Sequence, residues 1–105
     1  MILTGKCKEK FWEWYKNREG KTLTPKELEL ISEEVLQNAL IIDFFDSVGI
    51  YIEIHYSSFL GNRFLCIVNT NENHKVTSFQ NNRHQAIKKA IKKANDLYNS
   101  RYENV

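Results

Sequence analysis

The chain has 105 residues, 42% of them hydrophobic and 27% charged, with 2 Trp, 5 Tyr and 6 Phe; this describes one small globular domain, too short for two cores and too apolar for a disordered tail. No apolar run is long enough to cross a bilayer, and Met1-Ile2-Leu3 leads into lysines and glutamates rather than a signal peptide, so a cytoplasmic setting is expected. A net charge of +2 does not by itself call for nucleic acid, and Cys7 and Cys66 are too few for a disulfide scaffold or a structural zinc site.

A first helix is predicted over about residues 8–18, where Phe11, Trp14, Tyr15 and Arg18 share a face and Trp12 points elsewhere. Gly20 supplies its stop. Thr24-Pro25-Lys26-Glu27 reads as a capping box that opens a second helix over 25–48. Leu28, Ile31, Val35, Ala39 and Ile42 form a narrow stripe along it. From Ala39 onward Leu40, Ile41, Phe44, Phe45 and Val48 spread around the helix, which predicts a central segment buried on all sides until Gly49 stops it.

The hydrophobic period then falls from 3.6 to 2. Ile50, Ile52, Ile54 and Tyr56 alternate with Tyr51, Glu53 and His55, predicting a strand over 50–57 with one buried face. After the Leu60-Gly61-Asn62 turn signal, residues 63–69 predict a second strand, apolar on both faces and therefore central. A shorter strand follows over 75–80, and a last helix over 82–100 starts at Asn82 with Gln85 as its capping partner. The expected fold is α+β, a single domain in the order α-α-β-β-β-α, with a three-stranded antiparallel meander packed against helices. The double-sided apolarity of the middle strand asks what covers the second sheet face. Folding the aromatic first helix across it is the economical answer; the alternative leaves the face for a partner or a second copy, a homodimer.

Charge is segregated along the chain. From Lys26 to Glu53 there are seven carboxylates against one lysine, and from His74 to Arg101 seven cations against Asp96. Lys88, Lys89, Lys92 and Lys93 lie on an arc of about 140° of the last helix, a spacing that could straddle successive phosphates without reading bases. The plain alternative is a pair of solvated helix faces. Of the N-terminal aromatics, Phe11, Trp14 and Tyr15 are assigned to the core and Trp12 to partner contact.

Catalytic signatures are sparse. His55, His74 and His84 have no zinc-like spacing, and the glycines form no phosphate loop. Cys66 lies in an apolar strand and reads as a small buried hydrophobe. A metal-dependent hydrolase built on Asp43, Glu53 and His55 is the weakest of the readings, because the lysine expected after the second acid is missing. The sequence reads as non-enzymatic, with no metal and no cofactor. Lysine, asparagine and isoleucine number 11, 11 and 10, a bias toward A/T-rich codons that describes the source genome rather than the chemistry.

Two resemblances bear on function. The helix–meander–helix order over about residues 25–100 resembles the double-stranded-RNA-binding domain, whose last helix presents lysines to phosphates. Here residues 57–62 (SSFLGN) lack the Gly-Pro-x-His reader, the lysines begin a full turn into the helix, and the preceding helix is acidic. The resemblance therefore implies no more than phosphate contact by Lys88, Lys89, Lys92 and Lys93. Residues 38–52 (NALIIDFFDSVGIYI) and 92–99 (KKANDLYN) look like small accessory proteins of phages and prophages of A/T-rich bacteria, among them anti-CRISPR proteins. That likeness implies a stoichiometric inhibitor that binds a host protein or ribonucleoprotein complex. An RNA- or DNA-binding module using the last helix is the second expectation.

Overall fold

The N-terminal segment is fastened before any helix begins. In the computed structural model, which describes residues 1–18, 20, 23–31, 34–59, 61–71 and 75–103, Leu3 is buried and Thr4 meets two asparagines of the last helix. Helix α1, Gly5–Lys16, starts three residues earlier than expected. Its exposed donors explain this. The Thr4 N–H donates to Asn95 Oδ1 (3.0 Å) and the Cys7 N–H to Asn99 Oδ1 (2.8 Å), so side chains from across the fold satisfy groups that a helix start leaves open. Gly5 takes φ +57°, and a side chain there would crowd Asn99.

The capping box forms as expected: the Thr24 N–H donates to Glu27 Oε1 (3.2 Å) and the Glu27 N–H to Thr24 Oγ1 (3.1 Å). The helix it opens is divided, however, into α2 (Pro25–Ile31) and α3 (Glu34–Ser47). Gln37 Nε2 donates to the Leu28 carbonyl at 3.1 Å, although nine residues of straight helix would hold those positions about 13 Å apart. The chain bends, and Gln37 caps the free carbonyl end of α2. The predicted stripe is broken with it. Leu28 is buried, but Val35 is 71% exposed and Ala39 is exposed too; the side chain of Ile31 lies outside the described set. The face of α3 that enters the core carries Asn38, Ile41, Phe44 and Phe45. Burial of its second half is one-sided, since Asp43 and Asp46 stay exposed.

Gly49, at φ +78°, turns the chain into the sheet; a methyl group there would collide with the Asn71 side chain. Strands β1 (Ile50–Ser57), β2 (Arg63–Thr70) and β3 (Lys75–Gln80) form an antiparallel sheet in the order β1-β2-β3, so β2 is central. The register pairs Ile52 with Val68 and Ile54 with Cys66 on one face, and Glu53 with Ile67 and His55 with Leu65 on the other. Helix α4, Arg83–Glu103, is capped by Asn82, whose Oδ1 accepts the Gln85 N–H at 2.8 Å. Ala86, Ala90 and Ala94 are fully buried; small side chains at this spacing let α4 lie close across the sheet.

The first helix does not cross the second sheet face. Its aromatic stripe packs into the helical layer: Phe11 meets the Phe44 ring at 5.7 Å and Trp14 meets it at 5.8 Å. The asparagine contacts had already fixed its start on α4. Helices α3 and α4 cover the inner face of the sheet, and α1 packs against those two helices from beyond. Among the described residues nothing covers the outer face. The α+β class, the antiparallel meander and the closing helix stand as expected; the helical cover of the outer face does not.

Candidate functional site

Three of the four lysines line one groove. Lys88, Lys89 and Lys92 border a space of about 740 Å³ between α4, the N-terminal segment at Ile2 and Thr4, and the end of β3 at Gln80. Lys93 lies outside it and is half-buried. Nor are the three equivalent. Lys88 Nζ lies 3.3 Å from Glu34 Oε1, and His84 Nε2 lies 3.4 Å from the other oxygen of the same carboxylate. Lys89 and Lys92 join no ion pair among the described residues, so they carry the groove's unneutralised charge against Asp96.

Trp12 does not line this groove. It is half-buried against the core, with its ring 4.9 Å from Phe11 and 5.9 Å from Tyr15. The structure thus divides the predicted contact residues into a basic trio, a displaced lysine and a packed tryptophan.

The residues weighed for a hydrolase are not brought together. Asp43 on α3 pairs with Arg18 at 3.2 Å, in the helical layer. Glu53 and His55 sit on the outer sheet face, 3.1 Å from each other. No trio of His, Cys, Asp or Glu converges on a metal-sized space among the described residues, and His74 lies outside them. Both thiols are buried. Burial pushes Cys7 up to about 12. Cys66 is raised by burial as well, against partial relief from its Ser78 hydrogen bond and the Lys89 charge. At neutral pH each is a protonated thiol, the form without nucleophilic or ligating power.

One further feature was signalled by the double-sided apolarity of the middle strand, and a second went unnoticed in the sequence. On the outer sheet face the register sets His55, Leu65 and Phe79 in one row, Glu53, Ile67 and Thr77 in the next, and Tyr51, Asn69 and Lys75 in a third. Ile67 is buried by its strand neighbours, not by the core cluster, whereas Phe79 is 44% exposed and Tyr51 41%. The result is a contiguous apolar strip with a charged rim. The second feature is Phe59, fully in solvent at the β1–β2 turn. An aromatic placed between Ser58 and a Gly-Asn turn is the signal that could have found it.

No protein-family model matches this chain, and neither a curated protein nor a solved structure is similar to it.

Proposed function

We propose that the protein is a non-catalytic binding module that acts by occupying a macromolecular partner. The observation that carries this reading is the outer sheet face, where Leu65, Ile67, Phe79 and Tyr51 stand in adjacent rows with no helix above them among the described residues. A contiguous apolar strip with a polar rim is the anatomy of a protein contact, and aromatic residues are the usual source of its affinity. In its narrower form, taken from the likeness to phage accessory proteins, the partner is a nucleic-acid-handling complex of the host, such as a CRISPR nuclease, and binding blocks it. The test is cleavage by purified host nuclease complexes with increasing amounts of the protein. Inhibition that saturates at one equivalent and is lost with Leu65→Glu/Phe79→Ser supports the reading. Cleavage unaffected by a large excess would sink the inhibitor, and a second copy seated on the face would show as a dimer that the same variant abolishes.

A second reading has its own support, in the uncompensated Lys89 and Lys92 of the α4 groove. There the ligand is nucleic acid, held through its phosphates. Charge reversal at Lys89 and Lys92 then removes binding, whereas reversal at Lys88, already engaged by Glu34, removes little.

A further inference from the structure

Phe59 is 99% exposed at the tip of the β1–β2 turn, beside a strand end already rich in aromatic surface. Burying a phenylalanine is among the larger gains open to a small domain, so a ring left wholly in water calls for a reason. The turn that carries it is braced. Gly61 and Asn62 both take positive φ, 77° and 57°, and the Tyr56 hydroxyl donates to Asn62 Oδ1 at 2.6 Å across the base of the loop. Behind the turn, Tyr56 is 55% exposed and its ring lies 5.3 Å from that of Phe64. The Arg83 guanidinium stands 5.1 Å above the Phe64 ring.

Arg83 is also the first residue of α4, the helix that borders the groove. Gln80, the cross-strand partner of Phe64, lines it, and so do Gln85, Lys89 and Lys92. Arg83, Lys89 and Lys92 join no ion pair among the described residues. Lys89 and Lys92, about one turn apart, share the groove side of α4, while Arg83 stands a third to a half turn around the helix from them, over the Phe64 ring.

We propose that this end of the molecule is a site for single-stranded nucleic acid, with bases stacked on Phe59 and Tyr56 and the phosphates met by Arg83, Lys89 and Lys92. The proposal rests on the groove reading above and sharpens it. A duplex hides its base faces, so a protruding ring serves only a strand whose bases are free to leave the stack. A membrane surface would favour cations ringed around an inserted side chain; here Lys89 and Lys92 line a groove to one side of the rings.

The experiment is fluorescence anisotropy of the full chain with labelled oligo-uridine and oligo-thymidine 12-mers and with a blunt 12-base-pair duplex, at 50 and 200 mM salt. The expected result is tighter binding of the single strands, with Phe59→Ala weakening it about tenfold, within the range for loss of one base stack. Lys89→Glu/Lys92→Glu should lower the slope of log affinity against log salt by roughly 1.4, the value for two phosphates on a single strand. Lys75→Glu makes a single charge reversal on the outer sheet face and should cost far less than either Lys89→Glu or Lys92→Glu alone. All these side chains are exposed or half-exposed, and circular dichroism verifies that each variant folds. Equal binding of duplex and single strand, with Phe59→Ala silent and the lysine variant impaired, would overturn the single-strand site and leave the groove reading standing. Absence of binding at 50 mM salt would end both. Phe59-dependent binding to phosphatidylserine vesicles, with no oligonucleotide bound, would give the tip to a membrane surface instead.

Discussion

Asn95 and Asn99, one turn apart on α4, tie the two ends of the chain together. Asn95 accepts the Thr4 N–H and donates to Thr4 Oγ1 (3.0 Å each), while Asn99 accepts the Cys7 N–H and donates to the Thr4 carbonyl. Removing either amide leaves helix-start donors without partners. Asn95→Ala and Asn99→Ala should each cost about 1–2 kcal/mol, read as a lower urea midpoint at unchanged slope. Asn95, only 4% exposed, should be the more costly. The Cys7 thiol gives a pH signature. Its folded value is raised from 9.0 to about 12, so below pH 9 both states hold the proton and nothing is lost. Between pH 9 and about 12 the unfolded chain gives up a proton that the native state keeps, and stability falls, by at most about 1.4 kcal/mol per pH unit. Denaturation across this window should show a shallower decline for Cys7→Ala than for the natural chain, once the offset at pH 8 is subtracted. Equal declines would mean that the thiol is not held protonated by the fold.

At the scale of elements, what was legible in the sequence is what local chemistry decides. The Thr24–Glu27 box, the Asn82 cap and the alternation from Ile50 to Tyr56 involve residues close in the chain, and each formed where expected. The break after α2 was not legible. Periodicity runs unbroken through Leu28 and Val35, and only the reach of Gln37 back to Leu28 reveals the bend. Gln37→Ala should loosen α2 at a cost of about 1 kcal/mol, visible as faster amide exchange over Pro25–Ile31 with α4 unchanged. The position of α1 was hidden for a related reason. An amphipathic pattern states which face a helix buries and is silent about the side of the sheet it joins. That choice was made by Asn95, Asn99 and Phe44, each far away in sequence. The doubled apolarity of β2 did carry a true signal, that of an outer face awaiting cover. The basic arc was equally legible as a pattern, but Glu34's hold on Lys88 depends on how α3 and α4 pack.

At the scale of the molecule, the acidic and basic segments do not stand as two opposed faces. Lys88 and His84 of the basic segment both reach Glu34 of the acidic one, while Lys8 and Arg18 of the N-terminal region take Glu29 and Asp43. These pairs are partly exposed and contribute little stability, yet they consume charge that the sequence had offered to partners. Two surfaces remain unspent, the apolar outer sheet face and the aromatic-cationic end of the β1–β2 hairpin, and the register sets Leu65 and Phe79 of the first next to Phe64 and Gln80 of the second, on opposite faces of the sheet. Size-exclusion chromatography with light scattering, on mixtures with purified host nuclease ribonucleoproteins, tests the central claim most directly. The account predicts a one-to-one complex with the natural chain, lost with Leu65→Glu/Phe79→Ser and retained with Phe59→Ala. A complex that survives the sheet-face substitutions undiminished would contradict it.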